Sequence, residues 1–272
     1  MADLAAYGPW AVITGASSGI GRAFAEQCAA DGLNLVLAAR STDRLEDLGR
    51  ALTLSHRIEH RVVTVDLSRA GGAATLVAAS KDLDVGLLVS NAGDGHPGRF
   101  LDQDLLDLHE RLTLNTITYL ELAHAFGRRF VQRGRGAMVL VAALGAVHGL
   151  PNMAHESASK AYVLNLGEAL HHELRPAGVK VTVMLPGNVE TPIIDRFGLD
   201  RARLPIRPLP VATAVRQTVN ALQAGHATIV PDRRLRAVAL LTPRGMSIRM
   251  NGRIVGEAAA RLAARQASTP TS

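Results

Sequence analysis

The stretch Thr14-Gly15-Ala16-Ser17-Ser18-Gly19-Ile20-Gly21 directly follows the apolar run Ala11–Thr14, and a helical pattern starts at Gly19. Glycines at this spacing let the chain turn sharply and bring backbone N–H groups against a pyrophosphate, while the helix N-terminus adds a favourable dipole. A glycine-rich turn is weak evidence alone. Here the spacing Gly-x-x-x-Gly-x-Gly, its place after the first strand and the βαβ pattern that follows all agree.

Working outward, short apolar runs at Ala11–Thr14, Leu33–Ala39, Val62–Val65, Val85–Ser90, Ala137–Ala142, Val179–Leu185 and Thr228–Val230 predict seven strands. Between them, apolar residues at i, i+3, i+4 predict helices starting near Gly19, Asp43, Arg69, Leu101, Ala154 and Val211. This alternation predicts a doubly wound α/β fold with a seven-stranded parallel sheet, in one domain over 1–230. The period breaks from Ile193 to Pro210, an expected mobile loop, and residues 231–272 read as a basic amphipathic extension broken at Pro243.

At 272 residues and 47% hydrophobic, the chain has ample material for a core, which excludes disorder as its main state. The single Cys28 excludes an internal disulfide, no Cys/His spacing fits a metal site, and the His171-His172 pair faces two directions on its helix. No secretory signal or membrane-spanning run is present, so a cytoplasmic protein is expected. The net charge of +6 is concentrated: residues 230–272 carry eight arginines against Asp232 and Glu257, and the rest balances. That distribution argues against a broad nucleic-acid surface and for a local role of the tail, as a lid, a subunit interface or a contact with an anionic surface.

The second strand ends Leu37-Ala38-Ala39-Arg40-Ser41, with no carboxylate to accept the adenosine ribose hydroxyls. Arg40 and Ser41 suit a 2′-phosphate instead, so NADP(H) is the expected cofactor.

Together the turn at Thr14–Gly21, Asp66-Leu67, Asn91-Ala92-Gly93, Asn115, Lys160 and Pro186-Gly187 with Thr191 resemble the short-chain dehydrogenase/reductase superfamily over roughly 10–230. The resemblance implies that Gly15, Ser17, Ser18, Gly19, Ile20 and Gly21 cradle the cofactor. Asp66 and Leu67 would meet the adenine, and Asn91, Ala92 and Gly93 would flank the cofactor. Near the nicotinamide it implies Lys160, Pro186, Gly187, Val189 and Thr191. It further implies a small-molecule substrate, a substrate loop at 193–210, and a homo-oligomer built through the helices carrying Asn115 and Lys160, with Tyr119 and Tyr162 serving structurally there.

The family's reductases place a Ser on the substrate carbonyl and a Tyr four residues before the Lys as proton donor. Here Glu156 stands at the Tyr position and Ala143 at the Ser position, and no serine occurs between Ser90 and Ser157. Tyr162 lies about 240° around the helix from Glu156 and does not replace it. Protonating an ordinary Glu at pH 7 costs about 3.7 kcal/mol, so Glu156 is a poor acid, and it would repel an alkoxide while stabilising a cation. Three readings follow. Glu156 and Lys160, with Asn115 and His155, act as a catalytic group in an NADP(H)-dependent reaction such as C=N reduction. Alternatively, Glu156 is the base of a non-redox elimination, isomerisation or carbon–carbon cleavage. In the third, Glu156 and Lys160 form an i, i+4 ion pair in a protein that binds NADP(H) without catalysis. His155 and His148 are expected at the edge of the substrate pocket.

Overall fold

The computed structural model describes residues 4–204 and 206–267. Strands β1 Trp10–Thr14, β2 Asn34–Ala39, β3 His60–Thr64, β4 Val85–Ser90, β5 Gly136–Val141, β6 Val179–Met184 and β7 Thr228–Ile229 form one parallel sheet in the order β3-β2-β1-β4-β5-β6-β7. Every predicted apolar run falls within two residues of one of these strands. β4 and β5 are buried along their whole length, as continuous apolar runs require when helices cover both faces.

Side chains alternate across β2, with Leu35 and Leu37 entering one core and Val36 and Ala38 the other. On the first face pack α1 Gly19–Ala30, α2 Thr42–His56 and α8 Val211–Ala224, through Phe24, Leu45 and Val219. The second face is covered by α3 Gly72–Ala79, α5 Thr118–Arg133 and α6 Ala154–Leu174, through Leu76, Phe126 and Val163. Cys28 sits fully buried in the first core, where desolvation pushes its thiol far above its ordinary range.

The strand order reverses between β1 and β4, which opens a crevice at the C-terminal edge of the sheet. The glycine turn is fastened there. The Thr14 hydroxyl accepts hydrogen bonds from the backbone N–H of Asn91 and Ala92, at 2.8 and 2.9 Å, and Asn91 Nδ2 donates to Thr14 O. Gly19 has φ +55°, and a Cβ at Gly21 would stand 2.3 Å from the Gly15 carbonyl oxygen, so neither position accepts a side chain without rearrangement.

Two expectations need correction. The pattern starting near Leu101 is not one helix: α4 spans Leu105–Leu112, capped by Asp104, and a π-helical turn at Thr113–Ile117 separates it from α5. Nor is 193–210 wholly irregular. It holds a short helix, α7 Ile193–Arg196, and a 3-10 turn at Arg201–Arg203, and it is tied back where Glu190 N–H donates to Leu209 O and Leu209 N–H to Asn188 O.

Beyond the sheet, α9 Arg233–Leu241 and α10 Arg244–Ala267 are separated at Thr242-Pro243. α10 lies across two loops at the C-terminal edge of the sheet. Ser247 Oγ is 2.7 Å from His148 Nε2, Gly252 packs against Pro151, Arg261 Nε donates to Gly198 O, and Ala258 is fully buried.

Candidate active site

At the β1/β4 crossover lies a groove of about 570 Å³. Its walls bring together Gly15, Ser17, Ser18, Gly19, Ile20, Arg40, Ser41, Asp66, Leu67, Asn91, Ala92, Gly93 and Thr191. Gly21 stands behind this wall, where its lack of a side chain lets α1 close on the turn. Pro186, Gly187 and Val189 also lie behind it. The Pro186 carbonyl accepts from Leu144 N–H, Gly187 packs against Leu235 and Leu144, and Val189 is buried.

Sequence reasoning missed Arg44, which joins Arg40 and Ser41 at the end of β2. An i, i+4 cation following Arg40 was the signal available for it. Nearby, Asp66 is desolvated, but hydrogen bonds from Ser68 N–H and Oγ, with Arg40 and Arg69 close by, hold its carboxyl below the usual range. Asp66 is thus an ionised acceptor fixed by its own loop.

At the other end, the π-helical turn carries Asn115 inward. Its Oδ1 accepts from Asp94 N–H at 3.0 Å and its Nδ2 donates to Asp94 O at 2.7 Å, so one amide holds the chain that leaves β4. Gly93 is tightly enclosed: a Cβ would stand 3.0 Å from Asn115 Oδ1 and 3.1 Å from Lys160 Nζ, so either side chain would have to give way to a substitution. These groups form a close-set cradle whose floor is backbone, as a flat ring lying against Gly93 would require.

Lys160 Nζ donates to Val141 O at 2.9 Å and to Tyr119 Oη at 3.1 Å, and stands 4.5 Å over the Tyr119 ring. Tyr119 is fully buried and donates to Val141 O, so it lies beneath the lysine and not at a subunit surface, a correction to its expected place. Desolvation lowers the Lys160 ammonium from its ordinary value to about 7. Tyr162 is 39% exposed on the outside of α6.

The Glu156–Lys160 ion pair of the third reading is not formed among the described residues. Glu156 is buried, and its Oε1 accepts from His96 N–H at 3.0 Å and lies 3.6 Å from Arg111 Nε. Arg111, at the end of α4, is held by a hydrogen bond from Nη2 to Gln103 Oε1 at 2.7 Å. Sequence reasoning missed it because nothing local links α4 to α6. Buried Glu156 Oε2 and Arg111 Nε have no hydrogen-bond partner in this geometry. One carboxylate therefore anchors the loop after β4 and compensates a half-buried guanidinium at the groove wall, while Lys160 answers to other acceptors.

The two histidines also part company. His155 packs toward Leu108 of α4, and desolvation, aided by Arg111 and opposed by Glu156, lowers its pKa. His148 is engaged by α10 through Ser247. His171 Nδ1 contacts Val181 O at 2.7 Å inside the core.

Comparison with known proteins agrees with this geometry. The family model described as short chain dehydrogenase matches residues 9–201. The chain is 32% identical over 186 residues to a 7beta-hydroxysteroid dehydrogenase of Collinsella aerofaciens, covering 68% of this chain and 71% of that one. It is also 32% identical over 188 residues to an inactive hydroxysteroid dehydrogenase-like protein 1 of Pongo abelii, covering 68% of this chain and 57% of that one. Among solved structures, a short-chain dehydrogenase from Sphingobium yanoikuyae in complex with NADPH superposes with a TM-score of 0.78 at 34% identity, covering 85% of this chain and 91% of the other. By fold, groove and sequence alike, this chain belongs to the short chain dehydrogenase family.

Proposed function

We propose that this protein is an NADP(H)-dependent oxidoreductase in which Lys160, and not Glu156, handles the proton beside the nicotinamide. The observation that carries the reading is the lysine's setting: a desolvated amine over Tyr119, against Gly93, with its acidic neighbour diverted to Arg111. Arg40, Arg44 and Ser41 would hold the 2′-phosphate, with no acid at the end of β2 to oppose it. The NADPH complex of a 34% identical relative supports the same cofactor. Bound there, NADPH supplies a hydride.

The chain's own groups determine which acceptor is served. Ala143 carries no hydroxyl and the Glu156 carboxyl is turned to His96 N–H and Arg111, so a simple ketone lacks the Ser and Tyr hydroxyls that would stabilise an oxygen gaining negative charge. A protonated imine already carries its proton and becomes a neutral amine on accepting hydride, so it needs no donor at that moment. Lys160, titrating near neutrality, is matched to protonating a neutral imine beforehand or accepting a proton in the reverse direction. Cyclic imines and iminium ions are therefore the proposed substrates.

The test is NADPH oxidation by the purified protein with panels of cyclic imines, activated alkenes and ketones that include a 7-keto steroid, beside calorimetric titration with NADPH and NADH. Selective turnover of imines with tighter NADPH binding is expected, whereas efficient ketone reduction would overturn the substrate assignment. The engagement of Glu156 by Arg111 and His96, together with the inactive relative, favours a second reading in which the protein binds NADP(H) without turnover. Binding without oxidation across all classes selects that second reading. The double substitution Ala143→Ser/Glu156→Tyr is expected to introduce ketone reduction if the donor groups alone are missing.

A further inference from the structure

We propose that the outer face of the α9–α10 elbow is a contact for an anionic lipid surface. Val238 and Leu241 on α9 and Met246 and Met250 on α10 are exposed, Leu241 by 83%. Arg233 on α9 and Arg244, Arg249 and Arg253 on α10 are exposed too, and no ion pair engages them among the described residues. The inner face of α10 is fully committed, through Ser247, Gly252 and Ala258, to the loops at 148–152 and 198. Met246, Arg249, Met250, Arg253 and Ile254, spaced at i, i+3, i+4, i+7 and i+8, line a shallow depression of about 490 Å³ with an apolar floor between two guanidinium groups.

Charge complementarity selects the occupant. The residues after 230 hold the chain's whole positive excess, and the one acid of α10, Glu257, lies a turn beyond Arg253. Methionine and leucine side chains between arginines match the boundary of a bilayer, where the apolar groups reach the acyl region and guanidinium groups meet phosphate. No helix among the described residues is long and apolar enough to cross a membrane, so the contact is peripheral.

The experiment is co-sedimentation of the full chain with vesicles of phosphatidylcholine alone, or of equal parts phosphatidylcholine and phosphatidylglycerol, at low and high salt. Binding is expected only with the anionic vesicles and is expected to weaken with salt. Arg249→Gln and Arg253→Gln each lower the partition coefficient by about fivefold, and Met246→Ser/Met250→Ser weakens binding at every salt concentration. These positions are exposed, and unchanged thermal unfolding of the variants confirms an intact fold. Equal partition into both vesicle types, no partition at all, or binding insensitive to all four substitutions overturns the proposal. Self-association without vesicles that the methionine substitutions abolish would instead give this face to a second copy of the chain, and also overturns it.

Discussion

Glu156 and Lys160 stand one helical turn apart, yet their side chains serve different masters. The sequence shows that they share a face of α6, and it shows the missing hydroxyls at 143 and 156. It cannot show where each side chain finds its partner, because Arg111, Tyr119 and Val141 come from other elements. Breaking the buried pair from one side leaves an uncompensated charge. Arg111→Met is therefore expected to destabilise the fold by about 3 kcal/mol, lowering Tm by roughly 6–12 °C in thermal unfolding. The double substitution Arg111→Met/Glu156→Gln should recover part of that loss. Lys160 gives a signature in pH. Between about pH 7 and the ordinary lysine range the unfolded chain holds a proton that the folded chain has released, so stability rises with pH across that window. Lys160→Met should flatten this rise in denaturant titrations of the cofactor-free protein and should lower turnover at least a hundredfold.

At the scale of elements, the strands were legible because burial on both faces writes unbroken apolar runs, and the glycine turn was legible because close backbone contact at Gly21 permits no substitute. The π-helical turn was not, since Thr113–Ile117 carries no residue that a plain helix would refuse. That extra residue per turn aims Asn115 at Asp94, where its amide makes two hydrogen bonds. Asn115→Leu leaves both backbone groups of Asp94 without those partners. A loss of about 2–3 kcal/mol is expected, with a fall in kcat larger than any change in cofactor affinity, read by unfolding and steady-state kinetics. α7 escaped prediction because four residues are too few for a period to show. Its Arg196 reaches Asp94 at 3.4 Å, so the segment at 193–210 and the loop after β4 meet across the groove.

For the molecule as a whole, the seven-stranded parallel sheet and the tail's helical character with its break at Pro243 followed from pattern, but what the tail packs against did not, because its contacts are with loops far away in sequence. α10 joins the loop at 148–152 to the one at 198 at the C-terminal edge of the sheet, and a role as a lid over the substrate is the prediction that its removal tests. Deleting 243–272 is expected to leave NADPH affinity within a factor of a few while raising KM for the substrate at least tenfold, as calorimetry and kinetics would show. Leu112, Ile117, Leu120 and Tyr162 are exposed on α4, the π-helical turn, α5 and α6, the region through which the family resemblance implies a homo-oligomer. Leu120→Arg should reduce the mass measured by light scattering.

Cys28 is fully buried and its thiol is held in the protonated form, so thiol reagents are expected to leave the native chain unlabelled. A single cysteine introduced on the outer face of α10 would therefore carry a fluorophore alone, and its emission would report whether α10 leaves the loops at 148–152 and 198 without any native residue having to be removed first.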